Sequence, residues 1–177
     1  EPEGYRARVL SELMRAFDLA EDLGVPIVGY ISDPGSKDFV NSLRIILCDQ
    51  TPVDCDKCIH KADSTELPCE KIAVLKDSVV FKHQLHDGDR SITMTSDSKI
   101  LRLYGNHDIR VFYLNVGAEI ARIEVPAWVA NDEALLNLVH AVCYDQSQKG
   151  RGYPVALAEA HEHAVVHSHE RAAFYEL

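Results

Sequence analysis

The sequence contains no long apolar run. None of its 177 residues lies in a stretch approaching the roughly 20 apolar residues of a membrane span, and its start lacks the basic, apolar and small-residue order of a secretion signal. We therefore expect no membrane association. Residue 1 is glutamate rather than methionine, and a helical pattern follows at once, so we expect the natural chain to begin further upstream.

Three catalytic motifs are also missing. No glycine-rich loop ends in Gly-Lys-Ser or Gly-Lys-Thr, which excludes the P-loop manner of binding a nucleotide. No Gly-x-Ser-x-Gly elbow is present, so serine hydrolase chemistry has no support. The zinc-binding helix motif His-Glu-x-x-His is absent as well.

Positive charge is scarce. Lysine and arginine number 18 against 28 aspartates and glutamates, which gives a net charge of −10. This balance argues against broad electrostatic binding to nucleic acid, because neutralising phosphates needs clustered cations. It does not exclude a nuclease, since a site that holds divalent metals is itself acidic and a local basic patch or a partner can contact the phosphates.

The composition predicts a single packed domain. A chain of 177 residues that is 46% hydrophobic suffices for one core and is too short for two comfortable ones. Five cysteines are an odd number in a chain without a secretion signal, which favours reduced thiols in a cytoplasm.

The first third of the chain alternates helical and strand patterns. Residues 5–23 form a helical stripe that ends at Gly24, and residues 25–31 are a continuous apolar run, typical of a strand buried on both faces. A second helix is predicted over residues 37–48. Helix followed by buried strand indicates an α/β fold. The residues expected to face the core from the first helix are Val9, Leu13, Ala16, Phe17 and Ala20.

Asp33 stands where the first strand ends. Ligands and metals gather at strand ends in open α/β sheets, so a functional role is reasonable. Aspartate before Pro34-Gly35 is also a common turn residue, and we favour that interpretation while keeping Asp33 as a candidate substrate contact.

Residues 49–70 have no periodicity and form an irregular, cysteine-bearing insertion. The pair Cys55-x-x-Cys58 is flanked by Cys48 and Cys69, so four thiolates could surround a structural zinc ion. The paired spacing fits one half of such a site only. Reduced thiols or a local disulfide remain alternatives, and His60 is a possible substitute ligand.

The second half predicts strands and helices in turn. Strands are expected at 72–75 and 91–95, helices at 77–85 and 132–146, and an antiparallel hairpin at 109–116 and 118–125, joined at Gly117. Asp77 is expected to cap its own helix. Arg122 and Glu124 are expected to pair on a solvated strand face, with a role for Arg122 near DNA as the alternative. The helix expected at 132–146 is predicted to face the core with Leu135, Leu138, Val139 and Val142.

The final helix follows a Gly-Tyr-Pro turn. Pro154 suits the first helical position, and apolar residues recur from Leu157 to Val165 at helical spacing. His161 interrupts this stripe. A neutral histidine beside a packed face costs desolvation unless it is bonded, so His161 has either a structural partner or a function.

Four segments, in order, resemble the NurA family of DNA-repair nucleases. Residues 152–161, with the pattern Gly-Tyr-Pro-x-x-Leu-x-Glu-Ala-His, resemble the family's closing motif. Residues 27–32 are similar to its central strand, and residues 112–114 with 120–126 to its late hairpin. Residues 87–91, Asp-Gly-Asp-Arg-Ser, resemble a loop of its cyanobacterial branch. The resemblance runs from about residue 5 to the end of the chain.

The resemblance implies a ribonuclease-H-like domain over residues 1–177, with a mixed sheet flanked by helices. It implies a nuclease dependent on manganese or magnesium, acting as a 5′-to-3′ exonuclease and single-strand endonuclease in DNA end resection and double-strand break repair. A HerA-type hexameric ATPase and a second copy of the chain are the implied protein partners. Tyr153 and His161 match the family's late tyrosine and histidine. Tyr153 would contact a phosphate or base, and His161 would orient water or phosphate or supplement the metal shell.

The metal-binding carboxylates are where the sequence departs from the family. In the family they lie mostly in Asp-Gly-Ser segments before the equivalent of residue 1, and Asp87-Gly88 stands in the wrong place to replace them. We therefore expect this chain to be the C-terminal part of the domain and inactive by itself. The alternative is a non-catalytic docking or dimerisation module of a DNA-repair complex.

Overall fold

The computed structural model describes residues 2–58, 69–96 and 98–165. The helices are α1 (Pro2–Asp22), α2 (Asp38–Ile46), α3 (Asp77–Gln84), α4 (Ala127–Asn131), α5 (Glu133–Lys149) and α6 (Val155–Ala164). The strands are β1 (Gly29–Ile31), β2 (Met94–Thr95), β3 (Ile109–Asn115) and β4 (Ile120–Pro126), and Lys99–Leu103 is a 3-10 helix. Among these residues no helix has the length and apolar character needed to span a membrane.

The four strands form one sheet in the order β1-β4-β3-β2. The α/β class, with helices flanking a sheet, is confirmed. A mixed sheet was expected, and the pairings between these four strands are all antiparallel. The β3–β4 pair is antiparallel because a short turn joins its two strands, and β1 and β2 add antiparallel at the sides of this hairpin.

Three strand predictions differ from the structure. The strand expected at 25–31 is reduced to β1, which lies at the sheet edge with exposed ends, so burial on both faces is wrong. The strand expected at 91–95 keeps only β2. Residues 72–75, expected to be a strand, lie in a turn instead and pair with no described strand. Apolar runs this short do not by themselves distinguish a buried strand from an edge strand or a turn.

The β3–β4 hairpin forms as predicted, and its side chains alternate between two packed layers. Phe112 pairs with Ile123 in register, and both side chains join the core beneath α5. Tyr113 pairs with Arg122 on the opposite face, where the Tyr113 ring stacks on Phe81 of α3 at a centroid distance of 4.6 Å. The sheet is therefore covered on both faces, which is why most side chains of its central strands are apolar and buried.

Helix α5 packs on the sheet through a stripe that overlaps the predicted one, since Val139 is buried and Leu135 packs against the core. Asp132 caps it as expected, since its carboxylate accepts hydrogen bonds from the amides of Ala134 and Leu135 at 2.9 and 3.0 Å. Two predicted core residues, Leu138 and Val142, are half exposed. Apolar side chains cover much of this helix, so periodicity alone does not fix which arc meets the sheet. The buried residues of α5 are Leu136, Val139, Cys143 and Ser147.

Helix α1 contacts the sheet layer only near its C-terminal end, which corrects the prediction of a helix facing the core along its length. Phe17 is buried against Tyr104 and His107, whose ring nitrogen lies 2.9 Å from an Asp18 carboxylate oxygen. Val9 and Leu13 are 50% and 39% exposed. An apolar stripe shows which face of a helix can be buried. It does not show how much of that face other elements of the fold cover.

Asp77 joins α2 to α3 and does not cap its own helix as predicted. Its fully buried carboxylate accepts hydrogen bonds from the amides of Phe39 and Val40, in the first turn of α2, at 3.1 and 2.9 Å. It also accepts one from the Tyr113 hydroxyl at 2.6 Å. These amides have no partner within their own helix, so a distant carboxylate serves as the cap of α2.

Candidate active site

The candidate site lies at the β1 edge of the sheet, where residues from three distant segments meet. Tyr30, in the middle of β1, projects toward the α5 layer, and its hydroxyl donates a hydrogen bond to Oε1 of Glu119 at 3.2 Å. The Ser147 hydroxyl lies 3.3 Å from the Tyr30 hydroxyl and donates to the carbonyl of Cys143 at 2.8 Å. Tyr30 is thereby held between the hairpin and α5.

Glu119 organises the turn that follows β1. Its Oε2 accepts hydrogen bonds from the Ser32 hydroxyl at 2.7 Å and from the Asp33 amide at 2.9 Å. With Tyr30, this half-buried carboxylate has three donors. Glu119 was not among the site residues predicted from sequence, because a glutamate at a hairpin turn is ordinarily a solvated residue. Its local sequence carries no signal of these three partners.

Asp33 occupies this turn with its side chain in solvent. Its backbone has φ of +41°, in the left-handed region that few residues other than glycine adopt, and the hydrogen bond from its amide to Glu119 holds it there. Its side chain is 86% exposed, with the Lys76 ammonium 4.0 Å away. The structure therefore gives Asp33 a turn geometry while leaving its carboxylate accessible.

Tyr153 packs against Tyr30. The two rings meet edge to face at a centroid distance of 5.6 Å and an interplanar angle of 89°. Tyr153 is 38% exposed, so part of its ring remains open to solvent. The sequence prediction that Tyr153 belongs to a site remains a prediction, and the structure packs it against Tyr30, whose hydroxyl donates to Glu119.

Gly152 makes this packing possible. Its φ is +113°, and a Cβ built on it would lie 2.6 Å from Cβ of Ala118 in the hairpin turn. A larger residue would push the Tyr153 turn away from the hairpin, because backbone and Cβ atoms at that distance overlap. Glycine at position 152 is thus required both by conformation and by the close approach.

His161 lies apart from this cluster. It occupies α6, a helix without a buried residue, and is exposed. Within the described part of the chain its side chain makes no hydrogen bond or ion pair. The sequence predicted that His161 has either a structural partner or a function. No structural partner is found among the described residues.

Arg122 lies on the opposite face of the sheet, beside a cleft of about 680 Å³. Its guanidinium contacts the carboxylates of Asp38 and Glu124, the latter at 2.8 Å, and the Ser96 hydroxyl at 3.3 Å. Burial alone would lower the pKa of Arg122, but the hydrogen bonds and charge of Asp38 and Glu124 raise it above its ordinary value.

The solvated pair expected at Arg122 and Glu124 is therefore corrected. The two residues do pair, but Arg122 is only 5% exposed because α2 covers this face and supplies Asp38. Two carboxylates occupy its donors, so few remain for a phosphate. The geometry indicates that Arg122 joins α2 to the sheet.

The titration of Tyr30 offers a test of the Tyr30–Glu119 contact. Burial first, and then the charge of Glu119, raise the pKa of Tyr30 from 10.0 to about 12. Between pH 10 and about 12 the unfolded chain has lost this proton while the folded chain keeps it, so the free energy of unfolding falls as pH rises. Because the ring is partly exposed, we expect Tyr30 to account for about 1 kcal/mol of that fall.

Urea denaturation of the native chain and of Tyr30→Phe across this pH range measures the difference. The variant is expected to lose less stability than the native chain, and Glu119→Gln is expected to move the fall to lower pH. Equal losses in the native chain and Tyr30→Phe would show that the Tyr30 hydroxyl ionises as it does in water.

The described residues contain no group of three or more His, Cys, Asp or Glu side chains placed to hold a metal ion. The predicted zinc ligands Cys48, Cys55, Cys58 and Cys69 are free thiols around a small cavity near α2, away from Tyr153. His60 lies outside the described residues.

The fold and the edge site define an α/β protein with helices on both sides of an antiparallel sheet and a tyrosine–carboxylate cluster at one edge. The NurA domain family model matches residues 1–166. The chain therefore belongs to the NurA family, whose ribonuclease-H-like domains are DNA-repair nucleases. None of the curated proteins and none of the solved structures compared with it is significantly similar.

Proposed function

We propose that this chain forms part of a divalent-metal nuclease that trims DNA ends in double-strand break repair, with 5′-to-3′ exonuclease and single-strand endonuclease activity. The family match over residues 1–166 carries the proposal. The cyanobacterial branch is part of it and rests on residues 87–91.

Tyr153 is the proposed contact to DNA. Part of its ring packs against Tyr30, and the rest is exposed to solvent. The exposed part could stack on an unpaired base, and the hydroxyl could donate a hydrogen bond to a phosphate. Arg151, two residues earlier, is exposed and adds positive charge in an otherwise acidic chain. In this proposal Tyr30 and Glu119 position Tyr153, and Asp33, whose carboxylate is exposed, is a further candidate substrate contact.

The family's metal is expected to be manganese or magnesium, which would activate water and stabilise the leaving oxygen. The described residues do not fit such a site by themselves, since no three ligand side chains converge. We therefore assign no step to a metal here. The proposal places the metal-binding carboxylates outside the described residues, with His161 and Tyr153 on the flank of the completed site.

Residues 1–177 alone are expected to cleave DNA at background rate in manganese buffer. The reason is that phosphodiester hydrolysis by this chemistry needs several carboxylates around the ions, and the described residues offer no such group. The measurement is release of labelled nucleotides from single-stranded and duplex DNA, with the complete gene product as the positive control. Robust manganese-dependent cleavage by residues 1–177, abolished by a chelator, would contradict the prediction.

A docking or dimerisation module is the second candidate function, and an exposed apolar surface favours it. Tyr5, Val9 and Leu13 of α1 border a groove of about 530 Å³ whose other wall includes Leu103 and Tyr104. Apolar surface of this kind is typical of protein contacts. A HerA-type ATPase and a second copy of the chain are the proposed partners.

Replacement of Val9 and Leu13 by serine distinguishes the two functions. A docking module predicts that assembly, followed by sedimentation with and without the ATPase, is lost. A nuclease whose activity depends on the edge cluster predicts that cleavage by the complete gene product changes little with this substitution and falls with Tyr153→Ala.

A further inference from the structure

Four of the five cysteines surround one cavity. Cys48 follows α2, Cys55 and Cys58 lie in one turn, and Cys69 begins another, yet all four line the same space of about 110 Å³. The fifth, Cys143, is buried in the core beneath the sheet. Three of the four cavity cysteines are half-buried and one is exposed, and all are free thiols.

The backbone around the cavity is held by specific hydrogen bonds. The Arg44 Nε donates to the carbonyl of Cys69 at 2.9 Å, which fixes the start of the second turn against α2. The Asp54 carboxylate accepts from the amides of Asp56 and Lys57, both at 3.1 Å, and so closes the turn that carries Cys55 and Cys58. These contacts bring the cysteines to one place although few apolar side chains hold the segment.

Gln50 also lines this cavity, and its buried side-chain oxygen finds no hydrogen-bond donor among the described residues. That oxygen is an acceptor and a zinc–thiolate centre offers no donor, so the convergence of the four cysteines alone carries the proposal. Arg44 borders the same cavity as a cation, and Asp54 and Glu70 border it as anions, so the surrounding charges do not by themselves favour a negative metal–thiolate centre.

We propose that Cys48, Cys55, Cys58 and Cys69 bind one zinc ion as four thiolates. Zinc prefers a tetrahedron of sulfur ligands about 2.3 Å from the metal, and binding releases the four thiol protons. Manganese and magnesium prefer oxygen ligands, so this centre is chemically separate from the nuclease metals. The proposal does not depend on whether the chain cleaves DNA.

Zinc binding requires the two turns to draw together, because the thiols as they stand are not spaced to hold an ion. The chain permits this. Residues 47–58 and 69–76 contain neither helix nor strand, so closure breaks no helix and no strand ladder. For a segment with little core of its own, the free energy of metal binding becomes free energy of folding.

Metal analysis of the purified, reduced chain tests the proposal. We expect about one zinc per chain, and replacement of zinc by cobalt is expected to give the visible and near-ultraviolet absorption of tetrahedral thiolate coordination. The double variant Cys55→Ser, Cys58→Ser is expected to lose both signals. Cys143→Ala is the matched control and should keep them, because burial raises the pKa of the Cys143 thiol to about 11 and keeps it out of solvent.

Absence of zinc and of a cobalt–thiolate spectrum in the reduced native chain would overturn the proposal. So would a Cys55–Cys58 disulfide found by mass spectrometry under reducing-agent concentrations typical of a cytoplasm. If the double variant does not fold, cobalt titration of the native chain decides alone, because the spectrum reports sulfur ligation directly. Loss of metal in Cys143→Ala would also contradict the assigned ligands.

Discussion

His161→Ala is expected to lower kcat/KM for manganese-dependent DNA cleavage by the complete gene product by about 100-fold or more. In the proposed site, His161 orients the attacking water or the scissile phosphate. The side chain is exposed on α6 and makes no hydrogen bond or ion pair with the described residues, so its loss should leave the fold intact. Cleavage of labelled DNA under single-turnover conditions measures the effect.

His163→Ala is the matched control for this prediction. His163 lies on the same helix, is also exposed, and differs from His161 in the direction it faces. We expect its substitution to change cleavage less than about twofold, since exposed residues outside a site contribute little to transition-state binding. Equal activity of the native protein and His161→Ala would favour the docking module instead.

Asp77→Ala is expected to lower the free energy of unfolding by about 4 kcal/mol, which is a large part of the stability of a domain of this size. The substitution removes the acceptor of two α2 amides, which would be left without a partner, and of the Tyr113 hydroxyl, which would keep only the Ser36 hydroxyl at 2.8 Å. Each unsatisfied buried donor costs about 1 to 3 kcal/mol. Urea denaturation followed by circular dichroism measures the change.

Asp145→Ala provides the comparison for Asp77. Its carboxylate is 55% exposed and pairs with Lys149 one helical turn away at 2.7 Å. Such a surface pair contributes about 0.5 kcal/mol, so this variant should remain close to the native chain. If Asp77→Ala were as stable as Asp145→Ala, Asp77 would not be the tertiary cap of α2.

Several elements could be predicted because their causes are local. Asp132 caps α5 through amides two and three residues away, so the short sequence around it contains the whole interaction. The hairpin alternation from Ile120 to Val125 follows from the two-residue period of a strand, and Gly117, with φ of +83°, marks its turn. The family's closing motif at 152–161 is equally local, and the match over residues 1–166 confirms the family it indicated.

Other features depended on contacts that no short stretch contains. Which arc of α5 is buried, and how little of α1 is covered, follow from where each helix meets the sheet. The burial of Arg122 needed α2 to bring Asp38 over the sheet from 84 residues away. Asp77 has the sequence of an ordinary helix cap, and only the packing of α2 against α3 assigns it to the neighbouring helix.

The sequence by itself determined five of the six described helices, the central hairpin, the α/β class and the family, because hydrophobic period, capping residues and turn glycines act over a few residues. The tertiary structure alone decided which residues surround Tyr153. Tyr30 and Glu119 are 89 residues apart and meet only after the hairpin pairs with β1, and Tyr153 joins them because Gly152 lets its turn approach Ala118. Such contacts depend on how whole strands and helices are placed relative to one another. Each single residue has only a small influence on that placement.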